Sequence, residues 1–212
     1  CTWCHSDDKE KATEKSKDLV RMAAARASLL EPIPDLSVDV NKAALVVGGG
    51  VAGMTAALSL ADQGFPAVIV EKSPELGGAA RDVTKTWSGK DVQTFLSDLQ
   101  EKVEKHPDIE VMLEAEVVNV VGFVGNFEST VVSEKESKTI KHGVTIMATG
   151  GQAAIPDEYL FGKNPRVTRW HDLEHNPDKL KDAGTVVFIQ CVGSRDEQRP
   201  YCSKVCCTAS IS

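Results

Sequence analysis

The chain has 212 residues, of which 42% are hydrophobic, so it can form one substantial core, or one and a half domains of ordinary size. Its net charge is −7, and its basic residues are interspersed with acidic ones, which argues against nucleic-acid binding. No apolar stretch approaches the roughly 20 residues that a membrane span requires, and the N-terminus lacks the basic and apolar regions of a signal peptide. We therefore expect a cytoplasmic protein without a membrane span.

Residues 1–41 are predicted to form an N-terminal cysteine segment, a helix and a linker. The stretch 7–30 contains no glycine or proline, and its apolar residues recur at the spacing of one helix face. The prolines that follow, in Glu31-Pro32-Ile33-Pro34, end this helix. The chain begins with Cys1 instead of methionine and stops without a capping or turn signal. We interpret it as a piece of a longer polypeptide.

Residues 42–155 have the alternating pattern of an α/β domain. Short continuous apolar runs predict parallel strands that are buried on both faces, and the segments between them predict connecting helices. The predicted elements of this part are strand 44–47, helix 51–63, strand 67–70, helix 91–105 and strand 109–113.

An antiparallel meander is predicted next, because the apolar alternation of residues 115–139 is that of strands joined by short turns. Beyond residue 155 we expect a connecting loop, 156–182, and then the start of a second α/β domain, 183–212. The remaining predicted elements are strand 117–121, strand 127–132, a charged turn at 134–138, buried strand 144–148 and strand 185–190.

The sequence 48–53, Gly-Gly-Gly-Val-Ala-Gly, is a dinucleotide-binding fingerprint where a predicted strand turns into a helix. Gly48 permits the tight turn, Gly50 lets the backbone approach a pyrophosphate, and Gly53 allows close packing of helix and strand. The helix N-terminus offers N–H groups to the phosphates, and Glu71 is positioned for a ribose 2′-OH. A carboxylate there disfavours NADP, but the pattern leaves FAD and NAD both open.

Four cysteines stand close together near the end of the chain, as Cys191, Cys202, Cys206 and Cys207. Four thiolates satisfy a cubane iron–sulfur cluster, and we predict such a cluster here. Tetrahedral zinc, a redox disulfide and inert thiols are the alternatives, although zinc sites usually use two CxxC-like knuckles. The quartet follows the predicted strand 185–190, where a second glycine-rich nucleotide-binding turn would otherwise stand.

The histidines of the chain carry no readable catalytic pattern. His106, His142, His171 and His175 have no paired acid at a recognisable spacing, so we expect solvated surface side chains. No serine, histidine and acid constellation for hydrolysis can be found.

The cysteine string 191–207, Cys-Val-Gly-Ser-Arg-Asp-Glu-Gln-Arg-Pro-Tyr-Cys-Ser-Lys-Val-Cys-Cys, resembles the signature of the iron–sulfur A subunit of CoB–CoM heterodisulfide reductase and its relatives in sulfate reducers. The segments 1–5, 43–53, 70–78, 122–127 and 148–151 also resemble this family. The resemblance therefore extends over nearly the whole chain. The cysteine string is highly specific, whereas the glycine fingerprint alone is not.

The resemblance implies a thioredoxin-reductase-like flavoprotein: an α/β, FAD-binding Rossmann-like core with an antiparallel β-meander insertion, preceded by an N-terminal helix and followed by a truncated second domain. It implies FAD and a [4Fe–4S] cluster as cofactors. The residues implied for FAD are Gly48, Gly50, Val51, Ala52, Gly53, Glu71, Lys72, Gly77, Gly78, Thr149 and Gly150. The residues implied for clusters are Cys191, Cys202, Cys206 and Cys207, with Cys1 near an N-terminal cluster.

In this family the flavin passes electrons from a hydrogenase or dehydrogenase partner towards the subunit that reduces the heterodisulfide and, in bifurcating versions, towards ferredoxin. Many members insert a cysteine-rich ferredoxin domain after the segment that corresponds to 122–127, whereas residues 127–139 here run on without cysteines. The alternative is a free-standing pyridine-nucleotide:disulfide oxidoreductase of thioredoxin-reductase type. It would need a CxxC redox pair and a second GxGxxG. The sequence has no second GxGxxG, and its single CxxC spacing is Cys1–Cys4 at the N-terminus.

Overall fold

The computed structural model of the protein describes residues 6–33, 35, 37–134, 136–155, 157–202, 204 and 206–207. The chain divides into two compact units, Cys1–Val38 and Asp39–Ser212, which are described separately. The first unit contains helix α1, Lys9–Ser28, as predicted from its uninterrupted helical pattern. Asp8 caps this helix, because its side chain accepts a hydrogen bond from the Lys11 backbone N–H at 3.0 Å.

The second unit alternates strands and helices before and after an antiparallel insertion. In chain order its elements are β1 (Ala44–Val47), α2 (Val51–Ala61), β2 (Ala67–Val70), a 3₁₀-helix (Gly78–Asp82), α3 (Val92–Lys105), β3 (Ile109–Met112), β4 (Ala115–Phe123), β5 (Asn126–Ser133), β6 (Ser137–His142), β7 (Val144–Met147), α4 (Trp170–His175) and a 3₁₀-helix (Pro177–Leu180).

A four-stranded parallel sheet in the order β3-β2-β1-β7 positions the site. Strand β1 lies inside this sheet, since Ala44 pairs with Ala67 of β2 on one side and with Val144 of β7 on the other. Side chains from this sheet and from α2 and α3 form one apolar core, in which Met54 and Ile69 have no exposed surface. The predicted strands and helices of this part are confirmed within one or two residues at each end.

The insertion is a three-stranded antiparallel sheet in the order β4-β5-β6. Its register shifts between Val117 and Asn119, which marks a β-bulge in β4. The predicted meander is thereby confirmed, and β6 is an additional strand that the sequence pattern did not predict. It includes part of the region interpreted as a turn. Exposed Thr139 and Lys141 alternate along it with buried Ile140 and His142.

The prediction of a strand at 185–190 is wrong. These residues form no strand, and the described residues beyond Met147 contain no strand at all. The apolar side chains of the run are exposed, at 75% for Val187 and 53% for Phe188. A strand needs a neighbour to satisfy its N–H and C=O groups, and this run has none among the described residues. None of the described helices combines the length and the apolar character that a membrane span needs.

Candidate functional site

The turn that is predicted to bind phosphate, the phosphate turn, begins at Gly48, directly after β1. Its backbone N–H donates to the Val70 carbonyl at 2.8 Å. Its φ is 111°, a value that residues with a Cβ rarely adopt. A Cβ at this position would lie 2.3 Å from the Ala148 carbonyl oxygen. Gly48 therefore lets the end of β7 lie against the turn.

The two other glycines of the fingerprint face different surroundings. A Cβ on Gly53 would lie 1.9 Å from the Gly48 carbonyl oxygen, so the helix can meet the turn only without a side chain there. A Cβ on Gly50 would meet no described atom closer than the Gly78 Cα at 4.0 Å. Gly50 thus borders open space, and a group can approach its backbone closely.

Helix α2 presents its N-terminus to that space. Gly50 is the N-cap residue, and no described side chain caps the helix, although the first turn ordinarily needs acceptors for its N–H groups. Val51 is half-buried and Ala52 is exposed, and both belong to this first turn. An anion is the natural partner of such a helix end, because the N–H groups and the helix dipole both favour negative charge.

Glu71 follows β2 and is 7% exposed. Its carboxylate accepts from the Gly49 backbone N–H at 2.6 Å and from the Ser73 backbone N–H at 2.8 Å. Burial acts to raise the pKa of Glu71, but these two N–H groups and the positive charge of Arg81 outweigh it, and the pKa lies below its ordinary value. The carboxylate is therefore charged at neutral pH and ties the end of β2 to the phosphate turn.

Lys72 lies beside Glu71 on the surface. It lines an open cavity of about 480 Å³ together with Pro74, Glu114 and Glu116. The two carboxylates make this cavity unsuited to a second phosphate group, because like charges repel.

A second glycine turn, Gly77-Gly78, packs on the first. The Gly77 N–H donates to the Gly49 carbonyl at 2.8 Å, and Gly77 forms an isolated parallel bridge with Gly50. Both glycines have positive φ, 117° and 53°. The structure therefore brings the two predicted glycine sites together at one edge of the parallel sheet.

Thr149 and Gly150 follow β7 at this same edge. The Thr149 nitrogen lies 3.1 Å from the position that a Cβ on Gly48 would take, and both Thr149 and Gly150 belong to the accessible surface. The predicted nucleotide-binding residues thus lie on three turns after β1, β2 and β7. Carboxyl ends of parallel strands are where open α/β sheets bind ligands.

The cysteine quartet is not gathered in this structure. Cys191 is half-buried with a φ of 61°, and Cys202, Cys206 and Cys207 are exposed. Across the described part of the chain, no three histidine, cysteine or acidic side chains converge as a metal site. Cys1, predicted near an N-terminal cluster, lies outside the described residues.

The loop between the quartet's first two cysteines is nevertheless ordered by local hydrogen bonds. Asp196 accepts from the Arg199 N–H at 2.6 Å, and the Arg195 N–H donates to the Arg199 carbonyl at 2.7 Å. The Cys202 Sγ accepts from the Lys204 backbone N–H at 3.3 Å. Four thiols suit an iron–sulfur cluster chemically, but their placement here does not fit one.

Two features of this unit were missed by sequence reasoning. Gln93 and Gln100 of α3 donate side-chain hydrogen bonds to the segment around the second glycine turn. His142, predicted to be solvated, has no exposed surface, and its ring nitrogen lies 2.8 Å from the Ser129 hydroxyl oxygen. Neither a glutamine on an amphipathic helix nor a histidine that follows a lysine gives a signal of such contacts in one sequence.

The parallel sheet, the glycine turn at its carboxyl edge and the acidic residue after β2 define a nucleotide-binding oxidoreductase fold. The chain belongs to the pyridine nucleotide-disulphide oxidoreductase family, whose model matches residues 42–187. The predicted fold class is confirmed.

Over almost its entire length the chain is similar to heterodisulfide reductase subunits. It is 33% identical to the iron-sulfur A 2 subunit of CoB–CoM heterodisulfide reductase from Methanopyrus kandleri, over 98% of this chain and 46% of the relative. It is also 33% identical to the A subunit of the H(2):CoB-CoM heterodisulfide,ferredoxin reductase of Methanothermobacter marburgensis, over 97% of this chain and 46% of the relative. The resemblance predicted from the cysteine string is confirmed, and the chain spans less than half of these relatives.

A third relative differs in the length of the aligned region. The protein of Archaeoglobus profundus that is named as similar to the heterodisulfide reductase A subunit is 33% identical over 229 aligned positions, which cover 99% of this chain and 32% of the relative. The alignment with the Methanopyrus kandleri protein needs 304 positions for 98% of the 212 residues. The Methanopyrus kandleri relative therefore carries additional residues within the matched region, whereas the Archaeoglobus profundus relative carries few.

Proposed function

We propose that this chain is the FAD-binding part of an electron-transferring oxidoreductase subunit in a cytoplasmic heterodisulfide-reductase-like complex. The observation that carries the proposal is the convergence of the three turns, at Gly48–Gly50, Gly77-Gly78 and Thr149-Gly150, on the carboxyl edge of the parallel sheet. The similarity to heterodisulfide reductase A subunits along nearly the whole chain supports the same conclusion.

The residues of the three turns fit the ADP portion of FAD. The open backbone at Gly50 and the uncapped first turn of α2 suit a diphosphate. The charged Glu71 suits a ribose 2′-OH and opposes a 2′-phosphate. In this assignment Lys72 lies at the outer side of the ribose site, and Thr149 and Gly150 lie on the flavin side.

When bound, FAD supplies the exchange of electrons singly or in pairs. This chain's residues orient the nucleotide at the edge of the sheet, and the open space beside Gly50 lets the diphosphate approach the backbone closely. A heterodisulfide takes up two electrons and two protons to give two thiols, and we assign that reaction to a partner protein.

We propose further that Cys191, Cys202, Cys206 and Cys207 ligate a [4Fe–4S] cluster in the complete protein, and that Cys1 ligates another. Support comes from the four soft thiol ligands and from relatives whose names describe an iron–sulfur subunit. Because the four thiols are not gathered here, we derive no electron-transfer step through a cluster from this structure.

The proposed partners are other heterodisulfide-reductase-like subunits, a hydrogenase or dehydrogenase electron donor and ferredoxin. One relative's name joins dihydrogen, the heterodisulfide and ferredoxin, and another's names ferredoxin and F420H2. The sequence contains no second GxGxxG, and its single CxxC, Cys1-Thr2-Trp3-Cys4, includes the proposed cluster ligand Cys1, so in this proposal a partner supplies the disulfide-reducing groups.

The direct test is to count flavin, iron and acid-labile sulfide in the complete protein, purified without oxygen. We expect one FAD from this domain, four iron atoms and four sulfides for the quartet's cluster, and a broad absorbance near 400 nm. FAD without iron or sulfide would overturn the cluster and leave the flavin proposal standing. A complete protein that neither contains nor takes up FAD would overturn the central proposal.

A further inference from the structure

Helix α3 contacts the segment around the second glycine turn through its side chains. Among the described residues, the turn has one bridge of strand type with its neighbours, between Gly50 and Gly77. The Gly77 and Gly78 carbonyls accept from the Ala80 backbone N–H and the Arg81 Nε. The carbonyls of the flanking residues Leu76 and Val83 lie outside any strand ladder, and a carbonyl without a donor is unfavourable. The two glutamines of α3 donate to these flanking carbonyls.

Gln100 acts before the turn. Its side-chain Nε2 donates to the Leu76 carbonyl at 2.9 Å, and Leu76 directly precedes Gly77. The Leu76 side chain is 3% exposed and packs so close to Gly49 that a Cβ there would lie 2.5 Å from its Cδ2. The bond from Gln100 therefore fixes the residue that joins the two glycine turns.

Gln93 acts after the turn. Its Nε2 donates to the Val83 carbonyl at 2.6 Å and to the Ala80 carbonyl at 3.0 Å, with a longer contact of 3.3 Å to the Arg81 carbonyl. An amide has two N–H groups, so the two shorter contacts use its donor capacity. Gln93 thereby closes the 3₁₀-helix that follows Gly77.

The two glutamines act on one face of α3. They are seven residues apart, which is two helical turns, and Leu96 lies between them on that face. Leu96 is 3% exposed, and its Cδ2 would lie 3.1 Å from a Cβ on Gly77. One helix face thus contacts the turn before, at and after Gly77.

We propose that Gln93 and Gln100 are positioning residues that set the Gly77-Gly78 turn for the diphosphate of the flavin nucleotide, without touching the nucleotide themselves. The inference rests on the proposed FAD site. If the amide bonds are lost, the turn gains alternative conformations, and binding must first select the competent one, which weakens the apparent affinity.

The test measures the dissociation constant for FAD in the complete protein. Gln93→Met and Gln100→Met keep the side-chain length and remove the donor. Because one hydrogen bond contributes about 1 kcal/mol, we expect each variant to bind FAD about fivefold more weakly, and the double variant about 30-fold. Gln63→Met is the matched control, because Gln63 donates to the Ser59 carbonyl on the exposed end of α2. This variant should bind FAD with the affinity of the wild type.

A positioning role depends on the N–H donor of Gln100, whereas a packing role depends only on the shape of its side chain. Gln100→Glu has nearly the shape of glutamine but places a carboxylate oxygen against the Leu76 carbonyl, so it should bind FAD at least as weakly as Gln100→Met. A packing role predicts the reverse order, with the isosteric glutamate closer to the wild type than the methionine. If Gln100→Met does not fold, as judged by circular dichroism, the more exposed Gln93 decides the question with the same two replacements.

The outcomes for this inference and for the FAD site are distinct. Wild-type protein that binds FAD, with glutamine variants of unchanged affinity, overturns the positioning role alone. Wild-type protein that binds no FAD overturns the proposed function.

Discussion

The carboxylate of Glu71 accepts a hydrogen bond from the backbone N–H of Gly49, the middle glycine of the phosphate turn, at 2.6 Å. The acidic residue assigned to the ribose is therefore also a structural part of the turn assigned to the phosphates. A change of charge at Glu71 should alter both the stability of the empty protein and its affinity for the nucleotide.

Glu71→Gln should lower the free energy of unfolding by about 1.5–3 kcal/mol, the range for hydrogen bonds to a charged group. The glutamine offers one acceptor oxygen in place of two and brings an N–H towards the turn. Urea unfolding of the FAD-free protein measures the change. Glu114→Gln, on the wall of the neighbouring cavity, is the control, and an equal loss there would contradict the prediction.

The free energy of unfolding should also depend on pH through Glu71. Its pKa lies below the ordinary 4.5 in the folded state, so the unfolded chain takes up the proton more readily. The contribution is complete above about pH 4.5 and is lost as the pH falls through the folded-state value. The slope of unfolding free energy against pH below 4.5 should be smaller in Glu71→Gln than in the wild type. An unchanged slope would show that other carboxylates cause this pH dependence.

Alanine substitutions at two glycines of the fingerprint should affect different properties of the protein. Gly53→Ala places a Cβ 1.9 Å from a backbone oxygen and should destabilise the fold by about 3 kcal/mol. Gly50→Ala meets nothing described closer than 4.0 Å and has an ordinary φ of −75°, so the empty protein should keep its stability. Its methyl group enters the space proposed for the diphosphate, and FAD affinity should fall at least about tenfold, near 1.4 kcal/mol.

Thermal unfolding and FAD titration of the same two variants check this contrast. Gly184→Ala, where a Cβ would meet no described atom within 4 Å, is the control for both measurements. Normal FAD binding by Gly50→Ala would show that the nucleotide does not approach this backbone.

The buried pair Ser129 and His142 should stabilise the antiparallel sheet. The His142 Nδ1 lies 3.0 Å from the Val144 carbonyl, so Nδ1 carries the proton and Nε2 accepts from the Ser129 hydroxyl. Ser129→Ala leaves a buried nitrogen without its donor and should cost about 1–3 kcal/mol. Ser88→Ala, in an exposed turn, should have little effect on the unfolding free energy.

Burial lowers the pKa of His142 below 6.5, which outweighs the raising effect of the Val144 carbonyl. The unfolded chain therefore binds a proton first as the pH falls, and stability should decrease below about pH 6.5. His142→Phe should remove this part of the pH dependence. The same decrease in the variant would rule out His142 as its source.

Cys206→Ala should abolish the proposed cluster in the complete protein and leave FAD in place. A [4Fe–4S] cluster needs a thiolate on each iron, whereas no cysteine belongs to the three turns proposed to bind the nucleotide. Iron, sulfide and flavin counts measure the effect, with Ser194→Ala as the control in the same loop. Full iron content in Cys206→Ala would exclude this thiol as a ligand.

The parallel part of the fold could be predicted because its signals are local. Each buried strand is a short apolar run, and Gly53 is required by its contact with Gly48 in the same turn. The assignment of Gly48, Gly50 and Gly53 to one site needs no knowledge of distant residues.

The remaining features depend on contacts that are distant in the sequence. The run at 185–190 has the composition of a strand, but pairing decides whether a strand forms, and no described strand lies beside it. The role of Gln100 depends on the carbonyl of Leu76, 24 residues earlier, and the burial of His142 depends on β5. Composition and periodicity do not record such partners.

The pairing of β1 with β7 also determines when the site can exist during synthesis. Ala44 pairs with Val144, so the turn after β1 waits for about 100 further residues before the strand beside it has been made. A ribosome-bound chain that ends before Gly150 has emerged carries the complete fingerprint but lacks one wall of the pocket. If the proposed site is the FAD site, the nascent domain can bind flavin only after both its parallel and its antiparallel strands have been translated.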